Sequence, residues 1–112
     1  VNLPAVIVPQ ARREAAAAVR WISKDNPAAA ARFRRAIVDA AKLLGNRPMA
    51  GRLAPELLGP HYRIWSLVSF PYILVYDPRL TPPEIVRLAH TARDLGPLMA
   101  DLAEPPGELD QD

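Results

Sequence analysis

Two periodicities of apolar residues run along this chain, one near 3.6 and one of 2, and they divide it into a helical first half and a stranded second half. The run "AVIV" at 5–8, closed by Pro9, reads as a first strand. In "QARREAAAAVRWISK", Ala11, Ala15, Ala18, Val19 and Ile22 recur at helical spacing while Arg12, Arg13, Arg20 and Lys24 stay off the stripe, which predicts an amphipathic helix. "DNP" then marks a stop and a restart, because Asp25 or Asn26 can cap the next helix and Pro27 fits its first turn. The second helix is predicted from Pro27 to Leu44, with a buried stripe of Ala30, Phe33, Ile37, Ala40 or Ala41, and Leu44, and with Gly45 ending it in a left-handed conformation. Two helices joined so tightly run antiparallel, and their alanines let the backbones approach closely.

From residue 46 the pattern changes. "NRPMAGRLAPELLGP" is punctuated by Pro and Gly and reads as a loop with a short helical turn at 55–58. Period-two runs at 61–68 and 70–77 predict a β-hairpin in which Tyr72, Leu74 and Tyr76 face one way and Ile73, Val75 and Asp77 the other. "DPRLTPP" is a loop, "EIVRLAH" at 84–90 a last strand, and "TARDLGPLMADLAE" a return to helix interrupted by Gly96 and Pro97. The expected fold is α+β: a small, mainly antiparallel sheet in the order β-α-α-β-β-β, a helical hairpin on one face, a short C-terminal helix, and the other sheet face free to bind.

Composition narrows this picture in three ways. Half of the residues are hydrophobic and 23% are charged, an ordinary balance for one domain, and no apolar run is long enough to span a membrane. The opening "VNLPAVIVPQ" does not resemble a signal peptide, and with no Cys neither disulfides nor thiolate metal sites arise; a cytoplasmic location is the expectation. The net charge of +2 hides an asymmetry. Residues 104–112, "EPPGELDQD", hold four acids and no base and read as an acidic, proline-rich tail, so the domain at 1–103 sets fourteen bases against eight acids, a net +6. A basic body of that size favours an acidic partner, and an ordinary solvated surface accounts for it equally well.

Several pieces, in this order and spacing, resemble the RelE/ParE superfamily of toxins from type II toxin–antitoxin systems: "DNPAAAARF", "RPMAGR", "YRIWSLVSFPYILVYD" and "IVRLAHTARDL". The resemblance covers roughly residues 5–102. It implies a toxin silenced by a cognate antitoxin. The "HTARDL" ending of the last strand is closer to the ParE side, which implies inhibition of DNA gyrase by binding; the alternative is a RelE-like endonuclease acting on messenger RNA at the ribosome.

Candidate residues follow from what each activity needs. RNA cleavage requires proton acceptors, proton donors and cations facing the charged phosphate, and Arg63, Arg87, His90 and Arg93 are the available set, with His61 beside Arg63 on one strand face. A binding toxin needs contact residues instead, and Arg63, Trp65, Arg87, His90, Arg93 and Trp21 are the candidates for target or antitoxin. Structural readings compete at several of these positions. His61 at a strand entry fits an ordinary surface residue, His90 is in phase with Val86 and Leu88 as a half-buried structural histidine, and Arg93 with Asp94 fits a pair fixing the strand end. Trp21, one residue off its stripe, either marks an exposed contact or packs on the loop at 46–60. Arg63, flanked by Tyr62, Ile64 and Trp65, must find an acceptor or face a binding surface. Only Lys24 and Lys42 are lysines and no Tyr follows Tyr76, so a lysine cluster with a C-terminal tyrosine is ruled out as a nuclease site. No phosphate loop, Ser-His-Asp pattern or metal-ligand spacing occurs, and no cofactor, small-molecule substrate or membrane partner is implied.

Overall fold

The computed structural model describes residues 2–102; the expected tail at 104–112 and its boundary lie outside them. The elements are β1 (Val6–Ile7), α1 (Pro9–Asp25), α2 (Pro27–Asn46), β2 (Arg52–Leu53), α3 (Pro55–Leu58), β3 (Arg63–Ser66), β4 (Tyr72–Asp77), β5 (Glu84–His90) and α4 (Leu95–Leu102). The five strands form one sheet in the order β1-β5-β4-β3-β2. Pairing is antiparallel except for β1, which lies parallel to β5 through Val6↔Glu84 and Ile7↔Ile85. β2, a strand the sequence pattern did not indicate, pairs with β3 inside the predicted loop.

Asn26 alone separates the two long helices, and its Oδ1 accepts the Ala29 N–H at 3.0 Å while Pro27 occupies the first turn, as the capping pattern predicts. Gly45 does not end α2. The helix continues to Asn46 and closes on the Arg47 N–H to Leu43 carbonyl bond, and Gly45 is required because the backbone of Leu3 and Pro4 crosses directly over its Cα, where a Cβ would collide. That crossing is fixed by the Ala5 N–H to Ala41 carbonyl bond at 2.8 Å, which sets β1 against α2.

The predicted alternation on β4 separates two cores. Tyr72, Leu74 and Tyr76 join Phe33, Ile37, Leu44 and the alanines of the helical hairpin in the larger one, with Phe33 edge-on to Phe70 at 5.2 Å and 4.9 Å from Tyr72. Ile73 and Val75 face the opposite way, where they meet Ile64, Ala89, Leu58 of α3 and Leu98 of α4. The second sheet face is therefore covered, not free as expected: α3 and α4 bring Leu58 and Leu98 onto it, each almost completely buried. Gly96 and Pro97 do not interrupt α4, since they fall in its first turn, where a missing N–H costs nothing.

β5 carries a bulge. Val75 pairs with Arg87 and Tyr76 with Ile85, leaving Val86 without an opposite residue. Ile85 and Leu88 thus share the helix-side core while Val86 packs on the other, so His90 is in phase with Leu88 but not with Val86. The extra residue breaks the simple alternation that the sequence pattern assumes.

Candidate functional site

β1 pairs only with the first two residues of β5, which leaves the edge of β5 from Arg87 onward facing α1 without a strand partner. Two carboxylates occupy that edge. Glu14 of α1 accepts the Leu88 N–H through Oε1 at 2.8 Å and the Arg87 Nε–H through Oε2 at 2.8 Å. Asp94 accepts the His90 N–H through Oδ2 at 3.0 Å, and its own N–H returns to the His90 carbonyl. Arg87 also donates from Nη1 to Asp101 of α4 at 3.2 Å. Burial works against the Arg87 charge, and the hydrogen bond to Glu14, then Asp101, more than offsets it, leaving the guanidinium pKa above its ordinary value. Arg87 is thereby a clamp between α1, β5 and α4.

Beyond His90 the chain turns sharply, and the imidazole organises the turn. Its Nδ1 accepts the N–H groups of Ala92 and Arg93, both at 3.1 Å, so Nδ1 carries no proton in this geometry. The ring stands edge-on to Tyr72 at 5.1 Å. The turn in turn aims Arg93 back over α1: its Nη2 donates to the Tyr72 hydroxyl at 3.4 Å, its Nε lies 3.6 Å from Asp94, and its guanidinium sits 5.5 Å from the Trp21 ring centre. Trp21 is 57% exposed, with the Lys24 ammonium 5.3 Å from its ring. Trp21, Tyr72, Arg93, Asp94, Ala17 and Pro97 wall a groove of about 550 Å³ between α1 and the end of β5.

Four of the six binding candidates, Trp21, Arg87, His90 and Arg93, are gathered in or against this groove. Trp21 is exposed and its ring meets the Arg93 guanidinium. Arg63 and Trp65 lie elsewhere. Arg63 pairs with Tyr76 on β4 and His90 with Tyr72, so the two backbones stand four residues apart along the sheet and two strands apart across it, about 16 Å. The Arg63 guanidinium donates to the carbonyls of Gly51 at 2.7 Å and Met49 at 3.3 Å, holding the loop before β2. Tyr76 completes that anchor: its buried hydroxyl donates to the Pro48 carbonyl at 2.7 Å and accepts the Gly51 N–H at 2.8 Å. A Cβ on Gly51 would come within 2.6 Å of the Tyr76 ring and 2.8 Å of the Ile64 carbonyl, so the loop fits only with glycine there. Trp65, half-buried, packs on the larger core.

His61 precedes β3 and is exposed, in a separate groove of about 560 Å³ beside α3, Arg79 and Leu102. Close by, Asp77 accepts from the Arg79 backbone and guanidinium at 2.9–3.0 Å, and the Arg79 side chain holds its carboxyl below the usual range. Among the described residues no group of three or more His, Cys, Asp or Glu side chains is arranged to hold a metal, and no helix is long and apolar enough to cross a membrane.

Glu14 and Tyr72 escaped the reading of the sequence as parts of this site. Glu14 carried a usable signal: it is the one acid of α1 before its last residue, three residues after buried Ala11 and four before buried Ala18, on the border of an apolar stripe where a carboxylate needs a partner.

No curated protein matches the chain. Residues 6–95, from β1 through the turn that carries His90, Arg93 and Asp94, match the family model described as the ParE toxin of the type II toxin–antitoxin system parDE. With most of the chain matched, and with the helical hairpin and strand order in the positions the resemblance requires, this protein belongs to the ParE toxin family, the toxin half of a type II toxin–antitoxin system.

Proposed function

We propose that this toxin acts in the cytoplasm by binding DNA gyrase, without cutting nucleic acid itself, and that its cognate antitoxin silences it. The observation that carries this reading is the dispersal of the cations a nuclease would need around His90. A general acid or base needs a ring nitrogen free to exchange a proton with substrate, beside cations that face the reacting phosphate. His90 spends Nδ1 on two backbone N–H groups and keeps Nε2, but Arg87 is committed to two carboxylates and Arg63 is about 16 Å away by strand geometry, so two of the three candidate cations do not serve a phosphate beside that ring. What remains accessible at the groove is an aromatic and cationic surface, Trp21 and Arg93, the side-chain types that dominate protein-binding hot spots.

The test uses purified toxin with gyrase, a supercoiled plasmid and, separately, translating ribosomes. Inhibited supercoiling or trapped cleaved DNA, with ribosome-bound messenger RNA intact, is the expected result. Trp21→Ala and Arg93→Ala should each weaken the inhibition roughly tenfold while the protein stays folded, the effect of losing one anchoring contact. Codon-positioned cuts in ribosome-bound RNA that disappear in His90→Ala would refute the proposal and identify an endonuclease.

A further inference from the structure

The positive charge of the protein is concentrated on the outer face of the α1–α2 hairpin. These two helices carry eight bases and three acids, a net +5 of the +6 on the described residues. Of the six remaining arginines, Arg63 is bound to backbone carbonyls and three, Arg79, Arg87 and Arg93, each lie against a carboxylate. Among the described residues none of the eight hairpin bases does, because Glu14 is turned inward to Arg87.

Their placement is ordered. At about 100° per residue, Arg13, Arg20 and Lys24 fall in one row on α1, opposite buried Ala11, Ala18 and Val19. On α2, Arg32, Arg35 and Lys42 form a second row opposite Phe33, Ile37 and Leu44, with exposed Asp39 as the one acid within it. At 1.5 Å per residue each row runs about 15 Å, and packed helices lie about 8–10 Å apart. All six side chains are exposed and point away from the sheet. Of the large apolar residues exposed on these helices, Trp21 lies on the flank of the α1 row and Val38 is a single apolar side chain bordering the α2 row between Arg35 and Lys42. An amphipathic peptide would need apolar anchors that the face does not offer, whereas a regular polyanion needs only the cations.

We infer that the outer face of the α1–α2 hairpin is a docking surface for the phosphodiester backbone of duplex DNA, independent of base sequence. The choice of DNA among polyanions rests on the gyrase reading, since gyrase holds duplex DNA where the toxin would act. Four exposed arginines in the two rows suit phosphate contacts, which position a protein on the duplex without reading its bases.

The decisive experiment needs no gyrase, so its outcome is separate from that of the inhibition assay. Binding of the full-length toxin to a fluorescent 24-base-pair duplex is followed by anisotropy between 50 and 300 mM salt. The expected slope of log K against log salt is about −4.5 to −5.5, corresponding to five or six phosphates contacted, and two unrelated sequences should bind alike. Arg32→Gln, Arg35→Gln and Lys42→Gln combined should flatten the slope by about 2.7 and lower affinity at least tenfold, with unchanged circular dichroism and melting temperature. No binding at 50 mM salt, or binding indifferent to these substitutions, overturns the inference. So does poly-glutamate competing as well as the duplex, which would assign the face to an acidic polypeptide, or single-stranded RNA binding as tightly as the duplex.

Discussion

Removing one oxygen from the centre of the molecule should loosen a loop that is held almost entirely by polar contacts. Tyr76 is fully buried, and its hydroxyl bonds both the Gly51 N–H and the Pro48 carbonyl. Tyr76→Phe keeps the ring against Phe33 and Leu74's side of the core but leaves the buried Gly51 N–H without an acceptor. An orphaned buried donor costs about 1–3 kcal/mol, and the Pro48 carbonyl, only part-buried, loses about 0.5–1 kcal/mol because water reaches it. A net loss of about 2–3 kcal/mol follows. For a domain of this size that lowers the melting temperature by about 10–20 °C, a large share of the roughly 5–15 kcal/mol that holds such a domain folded.

A second signature belongs to the same hydroxyl. Burial, the largest influence, raises the Tyr76 pKa, outweighing the Gly51 hydrogen bond and the nearby Arg63 charge. A group whose folded pKa is raised contributes stability that is complete below its unfolded value, about 10, and is lost as pH climbs through the folded value. Wild-type protein should therefore lose stability above about pH 10 and Tyr76→Phe should lose less, narrowing the gap between them. Thermal and urea denaturation at pH 7 and at rising pH make the comparison. A melting temperature within about 3 °C of wild type at pH 7 would show that the loop is not anchored through this oxygen, and that Arg63 alone suffices.

Two further outcomes can be measured in the same way. Glu14→Ala removes the acceptor of the Leu88 N–H together with the main partner of a largely buried Arg87, and should cost about 2–3 kcal/mol in urea denaturation, less than a fully buried pair because both side chains retain some exposure; Glu14→Gln, which keeps an acceptor for the N–H, should cost about half as much, and an Ala variant within about 0.5 kcal/mol of wild type would contradict the role given to Glu14 at the β5 edge. Asp77, whose carboxyl is held below its usual range by Arg79, contributes stability that is present above the unfolded value near pH 3.9 and is lost as pH falls through the depressed folded value; the deficit of Asp77→Asn should accordingly shrink below about pH 4, and a deficit constant from pH 7 to pH 2 would count against the ion pair.

Elements with strong local signals were legible in the sequence. The helical hairpin, the Asn-Pro restart, the turn of helix at 55–58 and the last strand at 84–90 each rest on periodicity or a cap within a few residues, and each is present. Features that depend on distant chain were not. Gly45 has the look of a helix stop, yet the residue that dictates it is Leu3, more than forty positions away. Val86 falls on the wrong side of its strand because a bulge, a property of the pairing with β4, shifts the register. The covered second face depends on α4, whose first turn contains the Gly-Pro that argued against a helix. Of the site residues, those on the final turn and α1 converged, whereas Arg63 resolved its burial by anchoring the 46–51 loop through its carbonyls. The sequence posed that choice for Arg63 and held nothing local to decide it.

α1 is the element on which the two proposed contacts meet. Its inner border presents Glu14, which neutralises Arg87 and closes the β5 edge, so the flank near α4 carries little net charge. Its outer row keeps three cations with no carboxylate against them among the described residues. Field from the protein is therefore directed outward from the helices, which on the proposed reading steers a polyanion to that side while a protein partner engages the groove at Trp21 and Arg93. The two surfaces touch at one place, where Lys24 of the basic row lies 5.3 Å from the Trp21 ring centre. On that reading, occupation of the groove leaves five of the six row cations free, and an antitoxin that covers Trp21 and its surroundings, with the basic rows left open, is expected to separate toxin from a protein target.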